Sequence, residues 1–351
     1  MKPTPCVAIV AAGLVLASGS AQAQIEFKDH RGKTIVLDEP AKSVVTIVRS
    51  GPILYRAVDG SADRIAAVNQ SFFKRDYVAG LYDALLPELG DLPATAAIEG
   101  FVPNVEAILE LEPDAVIQWA SEGAEPLERV GLNVVIWDCC TAEQRRDYVT
   151  LTGLLTGKED RAKAILDLQD ASSAAMAEAF AAMPDSAKVS ALTVDQLGDQ
   201  IRIIANGSQD LSLSGVSNPA ADETGQWWKT IDLEQLFAWN PDMILIPPYA
   251  RDLTPAQFYE HPLLSGLDAA KNRRVYKIPA FAGSPDAPEI FLSSPWLAAV
   301  AHGPDRVPDL RRTVHDAYAA IYGIDLTDGQ MNDVLYMDQN ADSHGYGATF
   351  R

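Results

Sequence analysis

The sequence predicts an α/β protein of two similar lobes, each built on a mainly parallel sheet with helical crossovers, joined by one long bridging α-helix. Three observations carry this reading. First, Asn104-Val105-Glu106-Ala107-Ile108-Leu109-Glu110-Leu111-Glu112-Pro113-Asp114-Ala115-Val116-Ile117 returns far along the chain as Asp232-Leu233-Glu234-Gln235-Leu236-Phe237-Ala238-Trp239-Asn240-Pro241-Asp242-Met243-Ile244-Leu245. Each copy has a capping residue, a glutamate in the first turn, a short apolar helix, a Pro-Asp break and an apolar strand. Second, strands and helices alternate on both sides of mid-chain, which means parallel strands with helical crossovers. Third, Lys158 to Met183 reads as one helix, with Ile165, Leu168, Met176, Phe180 and Met183 on one stripe.

The elements follow in order. Asp29-His30-Arg31-Gly32-Lys33 is a hairpin turn between short extended runs, and Ser43–Val48 is an apolar strand ending at Arg49-Ser50-Gly51-Pro52. Then come a helix over Ile53–Asp59, a strand over Ile65–Val68, a helix over Asp76–Leu86 and the first repeat with its strand Ala115–Trp119. A helix over Glu125–Val130 and a strand over Val134–Trp137 complete the first lobe, 24–156. The bridging segment, 157–184, stops at Pro184, which cannot continue a helix. At 1.5 Å per residue the helix from Lys158 to Met183 spans roughly 39 Å, enough to cross a domain and resist a wide hinge motion. The second lobe, 185–351, repeats the pattern: strand Lys188–Thr193, a hairpin-like run Gln200–Ala205, the second repeat and strand Met243–Ile246. A helix near Pro255–Tyr259, a strand Val275–Ile278 and a helix Glu289–Ala301 follow. Beyond Ile324 the chain is polar and rich in Gly, Asp and Asn, the composition of a poorly ordered tail unless it docks.

Residues 1–23 have the form of a cleavable leader: Lys2, an apolar run over Val7–Leu16, and the small-x-small site Ala21-Gln22-Ala23. Export to a periplasm is expected, without a lipid anchor, since Cys6 precedes the apolar run. The net charge of −20, about −21 without Lys2, excludes nucleic acid and anionic membrane as partners. Of three cysteines, only Cys139 and Cys140 would remain after cleavage. A vicinal pair closes only a strained ring, so two small, partly buried thiols are expected. Gly-x-Ser-x-Gly, His-Glu-x-x-His and P-loop patterns are missing from the sequence, and no enzymatic activity or cofactor is expected.

Several segments in order carry a resemblance: Phe27–Ile35, Asn104–Leu109, Trp227–Leu236, Asn272–Tyr276, Ala287–Leu292 and Pro295–Ala298. Together they resemble the helical-hinge periplasmic substrate-binding proteins of ABC importers for ferric siderophores, haem and cobalamin. The resemblance implies a monomer that captures an iron-siderophore or similar metal chelate and hands it to an inner-membrane ABC permease dimer. It also implies that Glu106 and Glu234, the matched glutamates, dock onto permease arginines; a carboxylate can take a guanidinium bidentately.

Ligands on parallel sheets collect outside the carboxyl ends of the strands. There the chain places Arg49, Gln70, Phe72, Phe73, Lys74, Arg75, Trp119 and Trp137 in the first lobe. Trp227, Trp228, Tyr249, Arg251 and Phe281 stand there in the second. Aromatic rings would cover the organic part of a chelate, and cations its carboxylates. No protein-bound metal is expected, since none of the five histidines falls at a strand end. Asp338-x-Asn340-x-Asp342-x-His344 alternates like a calcium loop but has glycine at the wrong place. An alternative is a carrier of a bare oxyanion such as molybdate, or of a free metal ion. The segment Asn69–Tyr77 followed by Leu85–Leu89 resembles the molybdate branch, whereas the aromatic content favours the chelate.

Overall fold

The structure, a computed structural model, describes residues 24–119, 123–139, 141–206, 209–221 and 226–350, so the expected leader lies outside the described residues. Because Gly32 takes the left-handed conformation (φ 75°), β1 (Ile25–Lys28) and β2 (Thr34–Leu37) fold back as an antiparallel hairpin. The buried Asp29 carboxylate accepts the Arg31 N–H (2.9 Å) and the Ile136 N–H (3.2 Å), which docks the hairpin on the first sheet.

That sheet uses β3 (Val44–Thr46) and β4 (Ile65–Val68). Beyond a small antiparallel pair, β5 (Ala97–Glu99) and β6 (Val102–Pro103), it continues with β7 (Ala115–Trp119) and β8 (Val134–Trp137). The order is β4-β3-β7-β8, all parallel, and apart from the buried Thr46 and Gln118 the strands are apolar, because helices cover both faces. The second sheet contains β9 (Val189–Gln196), β10 (Ile201–Ile204), β11 (Val216–Ser217), β12 (Trp228–Ile231), β13 (Met243–Ile246) and β14 (Val275–Lys277). Its order is β12-β10-β9-β13-β14, with β9, β13 and β14 parallel, β10 and β12 antiparallel, and β11 beside the start of β9.

The repeated Pro-Asp step has the same task in both lobes. Asp114 accepts the backbone N–H groups of Lys42 (2.7 Å) and Ser43 (3.0 Å), just before β3. Asp242 accepts the Ser190 N–H (2.8 Å) and hydroxyl (2.7 Å), at the start of β9. Each aspartate ties the strand it precedes to the neighbouring central strand.

Two helices join the lobes. Thr141 and Gln144 form a capping box that opens a helix over Ala142–Thr156, an element the strand–helix pattern does not predict. Gly157 (φ 66°) reverses the chain into the bridging helix, Glu159–Phe180. The two helices approach so closely that a Cβ on Gly153 would lie 2.6 Å from the Ala162 Cβ.

Three expectations are corrected. The helix expected over Asp76–Leu86 is broken: a short helix over Gln70–Phe72 and a π-turn over Phe73–Tyr77 come earlier, and Tyr82–Leu85 follows a left-handed Leu81 (φ 56°). The break lets Gly80 meet the second lobe, where a Cβ on Gly283 would lie 2.6 Å from the Gly80 nitrogen. The polar tail is ordered. It forms a helix over Asp328–Val334 and buries Met331, Tyr346 and Phe350. The buried Asn340 amide accepts the Lys277 N–H (2.7 Å) and donates to the Lys277 carbonyl (2.9 Å), completing the open edge of β14. Asn340 is thereby committed to the backbone instead of to a cation. Finally, Cys139, expected as a partly buried thiol, is exposed and disulfide-bonded. Its neighbour Asp138 donates its N–H to His30 Nδ1 (2.7 Å) and accepts the Cys139 N–H (2.9 Å), which turns the chain outward after β8; Cys140 lies outside the described residues. Among the described residues no helix is long and apolar enough to cross a membrane.

Candidate ligand-binding cleft between the lobes

A cavity of about 240 Å³ lies where the lobes face each other across the bridging helix. The first lobe supplies Arg75, Arg145 and Arg146, the bridging helix Gln169 and Ser173, and the second lobe Trp227, Tyr249, Asp286, Phe291 and Trp296.

Arg75 is carried by the π-turn, whose extra residue per turn directs its side chain into the cleft. Its guanidinium lies 4.1 Å from the centre of the Tyr249 ring. Asp76, fully buried beside it, is held by the Arg49 Nε, and Arg75 Nε is 3.9 Å from its other oxygen. Burial pushes the Asp76 carboxyl up to about 6 against the pull of Arg49 and Arg75. Burial also lowers Arg75, and the neighbouring Arg49 cation adds to this.

Arg145 enters from the first turn of the helix Ala142–Thr156, 5.4 Å over the Trp227 ring. Its Nε is 3.4 Å from Asp286 Oδ1, and the Ser50 hydroxyl donates to Asp286 Oδ2 (3.1 Å). Burial raises the Asp286 carboxyl; Arg145, Ser50, Arg49 and Arg75 oppose it in that order. Arg75 Nε and Arg145 Nε and Nη2 are buried without a hydrogen-bond partner among the described residues. At the rim, Arg202 grips the buried Asp195 with two bonds (2.8 and 3.0 Å). Burial, with Asp195 nearby, pushes the Tyr249 hydroxyl up to about 12.

Of the residues the sequence proposes, Arg75, Trp227 and Tyr249 line this cavity, and Arg49 stands behind Arg75 through Asp76. Phe72 is fully buried and packs with Phe73 and Tyr77 in the first lobe, while Phe281 is fully buried too. Trp137 is buried, its ring stacked on Tyr148 at 4.6 Å, and Trp119 meets Tyr148 edge-on at 5.9 Å. These rings fill the ends of their strands, because the unpredicted helix Ala142–Thr156 brings Tyr148 over them. Gln70 and Lys74 are exposed and bonded to each other (3.2 Å). Trp228 is 45 % exposed outside the cavity, and Arg251 lines a separate surface depression with Asp199, Asp252 and His261. Sequence reasoning missed Arg145, Arg146, Gln169 and Asp286. The capping box Thr141–Gln144, which sets Arg145 in a first helical turn, was the available signal for the first two. Among the described residues no three His, Cys, Asp or Glu side chains gather as a metal site.

Glu106 and Glu234 occupy equivalent first turns. Asp232 caps its helix by accepting the Gln235 N–H (2.8 Å), and Asn104 accepts the Ala107 N–H (3.5 Å). Both glutamates are exposed, and three residues on each helix presents an exposed apolar side chain, Leu109 and Phe237.

A family described as periplasmic binding protein matches residues 100–282, just over half of the chain. The iron(3+)-hydroxamate-binding protein FhuD of Bacillus subtilis is 26 % identical over 189 residues, covering 50 % of this chain and 58 % of that protein. The molybdate-binding protein MolA of Haemophilus influenzae is 31 % identical over 114 residues, 31 % of this chain and 32 % of its own length. Its molybdate-bound structure aligns with TM-score 0.72 at 20 % identity, covering 86 % of this chain and 99 % of that one. A periplasmic solute binding protein from Veillonella parvula aligns with TM-score 0.80 at 24 % identity, covering 91 % of this chain and 99 % of that one. The aligned parts thus span less than two thirds of each curated relative, and the solved structures establish a shared two-lobed fold. The chain belongs to the periplasmic binding protein family.

Proposed function

We propose that this protein is a periplasmic solute carrier that captures a compact anion between its lobes and delivers it to an ABC importer, docking through Glu106 and Glu234. The anion is an oxyanion or a small anionic metal complex. The observation that carries the reading is the pair Arg75 and Arg145, which border one small cavity and whose buried Arg75 Nε and Arg145 Nε and Nη2 make no hydrogen bond among the described residues. Buried donors strongly favour a charged acceptor, and each charge-assisted bond supplies about 1.5–3 kcal/mol. At about 240 Å³ the cavity is below the ~300–1,000 Å³ usual for drug-sized ligands. The molybdate-binding relative is consistent with this ligand class.

The bulky chelate is the second reading. It is favoured by the apolar walls that Trp227, Phe291 and Trp296 give the cavity and by the hydroxamate-binding relative. Isothermal titration of perrhenate, molybdate, tungstate and a ferric hydroxamate into the full mature chain separates the two. Micromolar binding of at least one oxyanion, weakened about 10–100-fold in Arg145→Ala, supports the first reading. Tight binding of the ferric hydroxamate alone, with tryptophan quenching, replaces it with the second. The bridging helix supports a small rocking closure in either case.

A further inference from the structure

Resting on the compact-anion reading, we infer that Asp286 is a specificity-determining residue: a carboxylate of the second lobe, seated in the cation cluster of the first, that sets the charge of the ligand the cleft accepts. The cradle around it is built from separate segments. Ser50, immediately before the helix Gly51–Asp59, donates its hydroxyl to Oδ2 (3.1 Å), and Arg145 lies 3.4 Å from Oδ1. The Asp286 side chain is 9 % exposed. A loop that starts after β14 delivers it, pressed on the first lobe where Gly283 meets Gly80. A ligand anion and Asp286 thus share Arg145.

The charges near the cleft pair off, with one exception. Arg49 holds Asp76, Arg145 holds Asp286, Arg146 holds Asp170 and Arg202 holds Asp195. Arg75 has no carboxylate to itself, since its nearest, Asp76, is already taken by Arg49 at 3.9 Å from Arg75 Nε. The described residues therefore leave a surplus of one positive charge. A monoanion neutralises that surplus, and a dianion leaves a buried negative charge beside Asp286. Replacing Asp286 by an isosteric amide raises the surplus to two and makes the dianion the matching ligand. Across about 5–6 Å, at an effective dielectric near 20, one charge of difference is worth about a 100-fold change in relative affinity.

Perrhenate and tungstate test this, because both are tetrahedral oxyanions of similar size that carry one and two negative charges. Calorimetric titration at neutral pH uses the mature chain, Asp286→Asn and Ser50→Ala. The tungstate-to-perrhenate affinity ratio is expected to rise about 100-fold in Asp286→Asn. It stays within about 3-fold of wild type in Ser50→Ala, which loses a hydrogen bond but no charge. Binding of both anions with the same ratio in all three proteins overturns the inference and leaves the compact-anion reading standing, as does an equal loss for both anions in Asp286→Asn. Failure of either anion to bind any of the proteins at millimolar concentration removes the reading itself and the inference with it. A thermal melt of each variant accompanies the titration. Should Asp286→Asn not fold, Asp286→Glu keeps the charge, and a ratio changed more than about 3-fold by it counts against the inference.

Discussion

Glu289 offers the most direct test of how the lobes are held. Its carboxylate is fully buried, and it receives one hydroxyl from each side: Tyr82 of the first lobe donates to Oε1 and Tyr322, the last residue of a helix over Leu310–Tyr322, to Oε2, both at 2.6 Å. No lysine or arginine is among the groups acting on it. Burial therefore dominates and lifts the carboxyl from 4.5 to about 7, the two hydroxyls opposing only in part. Folded protein keeps the proton up to about pH 7, whereas unfolded chain releases it near pH 4.5. The proton thus stabilises the fold by roughly 3 kcal/mol in acid; this is fully present below pH 4.5 and is lost as pH rises through 7. Asp76, pushed up to about 6, acts in the same direction, so comparison with a variant is required.

The perturbation is Glu289→Gln, which cannot titrate. Its amide can accept one tyrosine hydroxyl well and leaves the other competing, a cost of about 1–3 kcal/mol in acid. Urea unfolding followed by tryptophan fluorescence at pH 5 and pH 8 gives the difference between the proteins. Wild type is expected to be the more stable at pH 5, and its advantage is expected to fall by about 2.5 kcal/mol at pH 8, enough to cancel or reverse it. With a slope near the ~3 kcal/mol/M upper end for urea, that is a relative shift of about 1 M in midpoint. Parallel pH dependences in the two proteins would show that Glu289 does not titrate in this window, and the desolvation argument would fall.

Other predictions are shorter. Arg145→Ala is expected to weaken binding of the cognate anion by about 10–100-fold, measured calorimetrically, and to lower the melting temperature as well, because it leaves the Asp286 carboxylate without its nearest cation. Glu106→Lys and Glu234→Lys are each expected to abolish transport in reconstituted permease vesicles while leaving ligand affinity unchanged; both side chains are exposed and neither lines the cavity. Asn340→Ala removes the bonds to both backbone groups of Lys277 and to the Tyr336 carbonyl. A loss of roughly 3 kcal/mol is expected, with rapid limited proteolysis after residue 324.

The parts that were legible from sequence are those governed by local rules. The four strands β4, β7, β8 and β13 match their predicted limits because each is a short apolar run bounded by turn residues, buried on both faces. The helix Ala142–Thr156 was missed because its apolar stripe is weak. It buries Tyr148, Leu151 and Leu155, but Arg145 and Arg146 sit among them to serve the cleft and Asp170. The tail misled for a related reason: Asn340 and Ser343 bond the edge of β14, and Tyr276 of that strand donates its hydroxyl to the His344 carbonyl; polar residues used in this way read as solvated. At strand ends, sequence could not tell Trp137, stacked on Tyr148, from Trp227, facing the cavity; that distinction depends on which helix lies above each ring.

The duplicated and the unique segments divide the work. Asp114 and Asp242, and Glu106 and Glu234, occupy equivalent places, so the repeat builds two like platforms and presents one carboxylate from each. Nothing in the cleft follows that symmetry. The cations Arg49, Arg75 and Arg145 come from the first lobe, whereas Trp227, Tyr249 and Asp286 come from the second. A ligand bound by cations of one lobe and covered by rings of the other is held fully only when both are in place. On the compact-anion proposal, closure would couple to capture: the anion would supply the acceptor that the buried N–H edges of Arg75 and Arg145 lack among the described residues, while Tyr249 and Trp227 cover it from the other side. The hinge need only be small for this, since the bridging helix, the Gly80–Gly283 contact and the Tyr82–Glu289 bond already hold the back of the cleft together.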